Sequence, residues 1–178
     1  MSKVILFSGV HGVGKGYFLK QNITEKDNLV CCTASILIEK YKVSDDAGYK
    51  RVSNINDNQD ILLKALAEFK TEYKEKNILL DGHLCMLNKD GQVTRIPENF
   101  VKKADICGII ILSDSAEMIY DRLNLRDSKT LQIEKIIELQ REEQLYAKYL
   151  KKKYRVNFEN VTHKCDRNEF LNYVEGMW

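Results

Sequence analysis

The sequence is poor in proline and lacks long apolar segments. Its single proline, Pro97, leaves most of the chain free to form long helices. The apolar segments are short, and none resembles a secretion signal or a membrane-spanning helix. We therefore expect one globular domain over residues 1–178, without a membrane partner.

The net charge and the cysteine content limit the classes of protein to which this chain can belong. A net charge of +2 is too small to indicate nucleic-acid or membrane binding by itself. The run Lys151-Lys152-Lys153 is either a basic patch or a solvated helix end, where positive charge suits the helix dipole. None of the five cysteines forms a C-x-x-C pair, so no zinc knuckle or redox motif is predicted. An odd cysteine count without a signal peptide favours a cytoplasmic location.

Short apolar runs alternate with stretches of helical periodicity. The runs are predicted to be strands at residues 4–7, 29–32, 78–80 and 109–112, with a weaker candidate at 155–158. Helices are predicted near residues 15–23, 33–41, 59–75, 115–126, 130–152 and 167–174, with acidic caps at Asp114 and Asp166. Continuous apolar strands are typical of a sheet covered on both faces. We predict a three-layer α/β fold, a P-loop NTPase type with about five parallel strands, and ligands at their carboxyl ends.

The first predicted strand leads into a glycine-rich phosphate-binding motif. Residues 9–15, Gly-Val-His-Gly-Val-Gly-Lys, match all but the last position of G-x-x-x-x-G-K-[ST]. The glycines allow successive N–H groups to point inward, and the lysine supplies a charge for the β- and γ-phosphates. The alternative is a glycine-rich turn without a ligand. The predicted ATP-binding residues are Gly9, His11, Gly12, Val13, Gly14, Lys15, Gly16 and Tyr17.

The sequence departs from the motif at its last position, where Gly16 stands in place of the serine or threonine whose hydroxyl binds Mg²⁺. Glycine offers no metal ligand, and in the first helical turn it costs about 0.5–1 kcal/mol of helix stability relative to alanine. The loop amides and Lys15 remain, so phosphate binding is expected to survive, whereas metal positioning and turnover are less well supported.

Asp81 ends the third predicted strand, as in a Walker B motif. At a strand tip beside the phosphate loop, its carboxylate can hold Mg²⁺ directly or through water. The alternative is an aspartate that only ends a strand. His83 follows at the same edge of the sheet and is either structural or part of the site.

Two arginines and a glutamine lie further along the chain. Arg122 and Arg126 share one helix face and suit nucleotide phosphates, although solvation of a helix end beside Asp121 and Asp127 explains them equally well. Gln140 interrupts an apolar stripe, so it lies at an edge or has a buried partner. That stripe is formed by Ile133, Ile136, Ile137, Gln140, Gln144 and Ala147.

In order and spacing these pieces resemble the small adenylate kinases, nearest to the nuclear and ribosome-assembly type (adenylate kinase isoenzyme 6) and the archaeal adenylate kinases. The resemblance spans nearly the whole chain. It rests on the phosphate loop at residues 9–15, the D-x-H-x-C pattern at Asp81, His83 and Cys85, the Y-x-R-L-x-x-R pattern from Tyr120 to Arg126, and Gln140.

The resemblance implies a nucleoside monophosphate kinase that uses ATP and Mg²⁺, with Lys15, Arg122 and Arg126 as catalytic residues and Asp81 at the metal. It implies a short lid at residues 126–130 and an acceptor-binding region at residues 33–58. The candidate acceptor-binding residues are Ser35, Lys40, Arg51, His83 and Gln140. The pair Gly16-Tyr17 departs from the threonine or serine pair of that family.

Two other functions remain open from the sequence. One is a non-catalytic nucleotide-binding module that regulates a partner. The other is a kinase or ATPase that acts on another phosphate acceptor or on nucleic acid, although the near-neutral composition argues against nucleic acid. The expected ligands are small-molecule nucleotides, and the sequence leaves the oligomeric state open.

Overall fold

The computed structural model describes residues 2–44, 55–126 and 131–178. Its strands are β1 Val4–Ser8, β2 Leu29–Thr33, β3 Asn77–Asp81, β4 Cys85–Leu87, β5 Val93–Arg95, β6 Ile106–Ser113 and β7 Asn157–Thr162. Its helices are α1 Lys15–Asn22, α2 Ala34–Ser44, α3 Ile55–Glu72, α4 Asn99–Lys103, α5 Ala116–Arg126, α6 Ile133–Tyr154 and α7 Arg167–Glu175.

Five strands form one parallel sheet in the order β2-β3-β1-β6-β7. The central strand β1 is buried along its whole length, as its unbroken apolar sequence predicts. Helices cover both faces, so the predicted three-layer P-loop NTPase fold is confirmed. The strands end together at one edge, where Phe7 of β1 lies opposite Asp81 of β3 in the register.

The end of the chain differs from the prediction. Helix α6 continues to Tyr154, and Arg155 then ends it in the left-handed region with φ of 57°. Strand β7 therefore begins at Asn157 and ends at Thr162, beyond the predicted residues 155–158. As an edge strand, β7 is only partly buried, so it lacks the continuous apolar run that marks the inner strands.

One of the two predicted helix caps is wrong. Asp166 caps α7, because its side chain accepts a hydrogen bond from the backbone N–H of Glu169 at 2.9 Å. At α5 the cap is Ser115, whose Oγ accepts from the N–H of Met118 at 3.2 Å. The carboxylate of Asp114 pairs with Arg122 at 2.6 Å instead of capping the helix.

Candidate nucleotide-binding site

The loop between β1 and α1 needs glycine for both conformation and space. Gly9, Gly12 and Gly14 have positive φ values of 151°, 84° and 94°. A Cβ atom at Gly9 would lie 2.7 Å from the carbonyl oxygen of Leu112, and one at Gly12 would lie 2.7 Å from the side chain of Leu123. The loop is thus packed closely against the end of β6 and against α5.

Lys15 lies at the centre of the site, with 8% of its surface exposed. Its Nζ donates to the carbonyl oxygen of Gly9 at 2.9 Å and lies 3.6 Å from Oδ1 of Asp81. Burial lowers the pKa of Lys15 and raises the pKa of Asp81, so for both groups the loss of hydration outweighs their mutual attraction. The strands β1 and β3 therefore bring a cation and a carboxylate together where hydration is poor.

His83 completes this cluster, with Nε2 3.5 Å from Nζ of Lys15. Burial, together with the charge of Lys15, lowers the pKa of His83 to about 3. The imidazole is therefore neutral at physiological pH and can exchange hydrogen bonds without adding charge. The sequence placed His83 at this edge, and the geometry brings it to Lys15.

Helix α5 carries both arginines toward the phosphate loop. Arg122 donates to the carbonyl oxygen of Val13 at 3.2 Å and to Oδ2 of Asp114 at 2.6 Å. Arg126 contacts Nε2 of His11. Both arginines therefore contact residues of the phosphate loop.

Gln140 lies near this cluster and has a hydrogen-bond partner, one of the two arrangements expected for it. Its Nε2 donates to the carbonyl oxygen of Asp114 at 3.0 Å, and its Oε1 accepts from the N–H of Asp114 at 3.3 Å. Both ends of the amide are occupied by one residue of the protein, and Gln140 does not line the pocket described next. Its contact with a substrate stays a prediction.

A cavity of about 720 Å³ begins at the phosphate loop and continues past Lys15 and Asp81 to α2 and α3. Ser35 lines this cavity, as do His83 and both arginines. Lys40 lies in an adjoining groove instead. Arg51, with residues 45–54 of the expected acceptor region and residues 127–130 of the expected lid, falls outside the described residues.

Glu143 is a buried member of the site that the sequence did not reveal. Its Oε1 accepts hydrogen bonds from Oγ of Ser8 at 3.1 Å and from the N–H groups of Leu84 and Cys85 at 3.2 and 3.4 Å. Its Oε2 has no partner within the described part of the chain. Burial raises the pKa of Glu143 to about 7.

The predicted stripe on α6 explains why Glu143 was missed. The buried positions are Ile136, Leu139, Glu143, Tyr146, Ala147 and Leu150. The predicted stripe followed another face of the helix, and its Ile137 is 52% exposed. The spacing of Leu139, Tyr146 and Leu150 is the signal that would have identified the buried face, with Glu143 on it.

His163 is the second residue that the sequence did not reveal. Its Nε2 lies 2.6 Å from the carbonyl oxygen of Val13, and its ring lies beside Gly14. It directly follows β7, so the misplaced boundary of that strand hid its position at the ligand-bearing edge.

Asp81 is a carboxylate that could share a magnesium ion with the phosphates of a nucleotide in this cavity. Among residues 2–44, 55–126 and 131–178, no cluster of three or more metal-binding side chains occurs. Asp81 supplies one carboxylate, and Mg²⁺ usually combines one or two carboxylates with phosphates and water. Gly16 lines the same cavity but adds no ligand.

Comparison with known proteins agrees with this geometry. The model of a family described as AAA domain matches residues 8–140, from the end of β1 to Gln140. The chain belongs to this P-loop, kinase-like family. No curated protein matches the chain.

Within the described residues, no helix is long and apolar enough to span a membrane.

Solved structures share the fold at low identity. A sugar kinase from Janibacter sp. HTCC2649 is similar with a TM-score of 0.54 and 11% identity, over 99% of this chain and 94% of that one. A gluconokinase from Sinorhizobium meliloti 1021 has a TM-score of 0.49 and 12% identity, over 98% and 92% of the two chains. The first likeness supports the fold of a P-loop kinase and leaves the substrate undefined.

Proposed function

We propose that this chain is an ATP-dependent kinase that transfers the γ-phosphate of ATP to a nucleoside monophosphate. The observation that carries the proposal is the continuity of the cavity from the phosphate loop to α2 and α3. Direct phosphoryl transfer requires donor and acceptor to be held in contact, and one continuous cavity meets that requirement. Lys15, Asp81, Arg122 and Arg126 all line it.

In the proposed reaction, the bond between the γ-phosphorus and the β–γ bridging oxygen breaks, and a bond to an acceptor oxygen forms. A phosphate acceptor is already ionised at neutral pH, so no protein base has to remove a proton. The loop N–H groups and Lys15 would neutralise the β- and γ-phosphates, while Arg122 and Arg126 would stabilise the charge on the transferred group. Asp81 would hold Mg²⁺, which screens phosphate charge when bound.

A non-catalytic nucleotide-binding module is the second candidate, and Gly16 is the observation that favours it. The hydroxyl that would bind magnesium is missing, while Lys15 and the loop that bind phosphate are complete. Such a protein would bind ATP through the loop without turning it over.

A combined binding and turnover experiment distinguishes the two candidate functions. ATP binding is measured by calorimetry with and without Mg²⁺, and ADP release is then followed with AMP, CMP, UMP, gluconate or a polynucleotide as acceptor. We expect ATP binding and ADP release that depends on a nucleoside monophosphate. Lys15→Ala should abolish binding, while Lys20→Ala, an exposed lysine on the same helix, should not.

Each other outcome has a defined meaning. ATP binding without release by any acceptor would support the non-catalytic module. ADP release with gluconate alone would show that the acceptor is a sugar acid and not a nucleotide. Absence of ATP binding by the unaltered chain would overturn the nucleotide site itself.

A further inference from the structure

Strand β2 is an outer edge of the five-stranded sheet, because it pairs only with β3. The N–H of Asn77 donates to the carbonyl oxygen of Asn28, so the backbone groups of Asn28 point toward β3. Successive residues of a strand direct these groups to alternate sides, so those of Leu29 and Cys31 point away from the sheet. Within the part of the chain that the structure describes, these outward groups have no backbone partner.

A groove of about 930 Å³ lies along this edge, and we call it the β2 groove. All residues of β2 line it, from Leu29 to Thr33. Helices α1, α2 and α3, with the residues that directly follow α1 and α3, supply its other walls. The apolar and aromatic side chains of these walls are Leu19, Ile23, Ile36, Leu37, Phe69 and Tyr73.

One end of the β2 groove meets the nucleotide cavity, where Gly16, Thr33 and Asp81 line both. From there the groove follows β2 back to Leu29, which lies roughly 13 Å from Thr33 in an extended chain. Most of the groove is therefore a separate surface that the proposed reaction does not use.

The backbone of β2 and the walls of the groove favour the same kind of ligand. Outward N–H and carbonyl groups on a free strand edge pair with the main chain of an extended peptide. Apolar walls on both sides can cover the side chains of such a peptide, which point alternately to its two faces. The backbone of a nucleic acid carries a charge at every phosphate and has no N–H donors, so it suits neither feature.

The charge of the groove favours an acidic peptide. The charged side chains that line it are Lys20, Lys40, Lys76, Glu25 and Asp81. Asp81 already lies 3.6 Å from the ammonium group of Lys15, so the lysines outnumber the remaining carboxylate of Glu25. A second copy of this chain would bring the same lysines against them, and like charges across an interface oppose association.

We propose that the outer edge of β2 binds an extended, acidic peptide segment of a partner protein as an additional strand of the sheet. The main chain of the peptide pairs with the outward groups of Leu29 and Cys31. Its apolar side chains enter between α1 and α3, and its carboxylates face the lysines of the groove. This inference does not depend on the proposed kinase reaction.

The first test uses synthetic peptides and the unaltered chain. The probe is a short peptide of alternating glutamate and valine, and calorimetry measures its binding. A second peptide carries N-methyl groups on alternate backbone nitrogens, and a third has lysine in place of glutamate. We expect both changes to weaken binding roughly tenfold or more, because one removes main-chain hydrogen bonds and the other reverses the charge.

Hydrogen exchange shows where the glutamate peptide binds. The amides of Leu29 and Cys31 should exchange fast in the chain alone and slowly with the peptide. The amides of Val30 and Cys32, which face β3 by the same alternation, should be protected in both states and serve as the internal control.

Cys31→Pro tests the outward backbone group directly. Cys31 is exposed, and proline is tolerated on an edge strand where the N–H faces away from the sheet. The variant lacks one outward donor and should bind the glutamate peptide roughly fivefold or more weakly. Cys31→Val, which keeps the N–H, is the matched control, and melting temperatures show whether both variants fold.

Charge reversal tests the walls of the groove. The double variant Lys20→Glu and Lys76→Glu should weaken binding of the glutamate peptide roughly tenfold and strengthen binding of the lysine peptide. The matched control is Lys89→Glu with Lys148→Glu, two exposed positions that do not line the groove. This control should bind both peptides as the unaltered chain does.

Every other outcome overturns the inference. It fails if the glutamate peptide does not bind, if N-methylation changes nothing, or if an oligothymidylate of the same charge binds more tightly. Slow exchange at Leu29 and Cys31 without peptide would show that the edge is already covered. Sedimentation would then identify the cover as a second copy or as the same chain. If Cys31→Pro does not fold, the N-methylated peptide decides. A failure of the kinase proposal changes none of these measurements.

Discussion

At the scale of single residues, Gly16 is the position where the sequence departs from the phosphate-loop motif. The position needs no glycine for packing, because a Cβ atom there would meet nothing within 4 Å. In contrast, Gly9 and Gly12 have positive φ values and lie against Leu112 and Leu123. The last residue of the motif is thus open to replacement, whereas the earlier glycines are held by the fold.

We expect Gly16→Thr to raise the turnover of ATP roughly tenfold or more, because a hydroxyl would join Asp81 at the magnesium ion. Gly16→Ala is the control: it raises helix stability by about 0.5–1 kcal/mol, at least as much as threonine does, without adding a metal ligand. Steady-state kcat over a range of Mg²⁺ concentrations distinguishes them. Equal kcat values for the two variants would show that the missing hydroxyl does not limit the reaction.

The sequence revealed the residues whose pattern is local. Lys15 lies in a contiguous motif, and Asp81 and His83 follow an apolar strand, so a short stretch of sequence was enough to find them. The burial of Gln59 was not foreseen because the helix was predicted to start at that residue, whereas α3 begins at Ile55. A polar residue at a helix start ordinarily faces solvent, and only the tertiary structure shows otherwise.

At the scale of elements, contacts between α6 and the end of β5 hold one wall of the cavity in place. The hydroxyl of Tyr146 donates to the carbonyl oxygen of Ile96 at 2.8 Å, and both residues are buried. Arg95 lies over the ring of Tyr146 and pairs with Glu142 at 2.9 Å. Helix α6 therefore fixes the segment that brings Ile96 to the cavity.

We expect Tyr146→Phe to lower the free energy of unfolding by about 1–2 kcal/mol, because the buried carbonyl of Ile96 loses its donor. Tyr149→Phe is the matched control, since Tyr149 is 42% exposed and its hydroxyl bonds to Glu98 at the surface. Its effect should stay within about 0.5 kcal/mol. Urea denaturation of both variants is the measurement, and equal losses would contradict a special role for the buried bond.

Elements with long, continuous patterns were predictable, whereas short or exposed ones were not. The inner strands β1, β3 and β6 each contain a continuous apolar run and were found within a few residues of their ends. The hairpin of β4 and β5 has only three residues in each strand, too few for a periodic signal. Its place is set by contacts with α6, which lies far along the chain.

At the scale of the whole molecule, Glu143 makes folding depend on pH. The pKa of this glutamate rises from 4.5 to about 7 on burial. Between these values the folded protein holds a proton that the unfolded chain has released, so stability falls as pH rises through this window. The fall amounts to about 3 kcal/mol in total and ends above about pH 7.

The side chain in the Glu143→Gln variant cannot ionise, so we expect its stability not to fall as pH rises through this window. The variant should resemble the parent near pH 5 and exceed it in stability near pH 8, by up to about 3 kcal/mol. Denaturation at both pH values provides the measurement. Glu134→Gln, at an exposed position of the same helix, should follow the parent at both. If Glu143→Gln loses stability equally at pH 5 and pH 8, protonation is not the cause.

Gly12 packs against Leu123, and Arg122 donates a hydrogen bond to Val13. These contacts limit how helix α5 can move relative to the phosphate loop. We therefore expect helix α5 and the phosphate loop to move together, with the arginines carried along with the loop. Any closing of the cleft would then be carried by the other wall, to which α2 and α3 contribute. In the proposed reaction the arginines would be in place before the acceptor arrives, and the acceptor side would supply the movement.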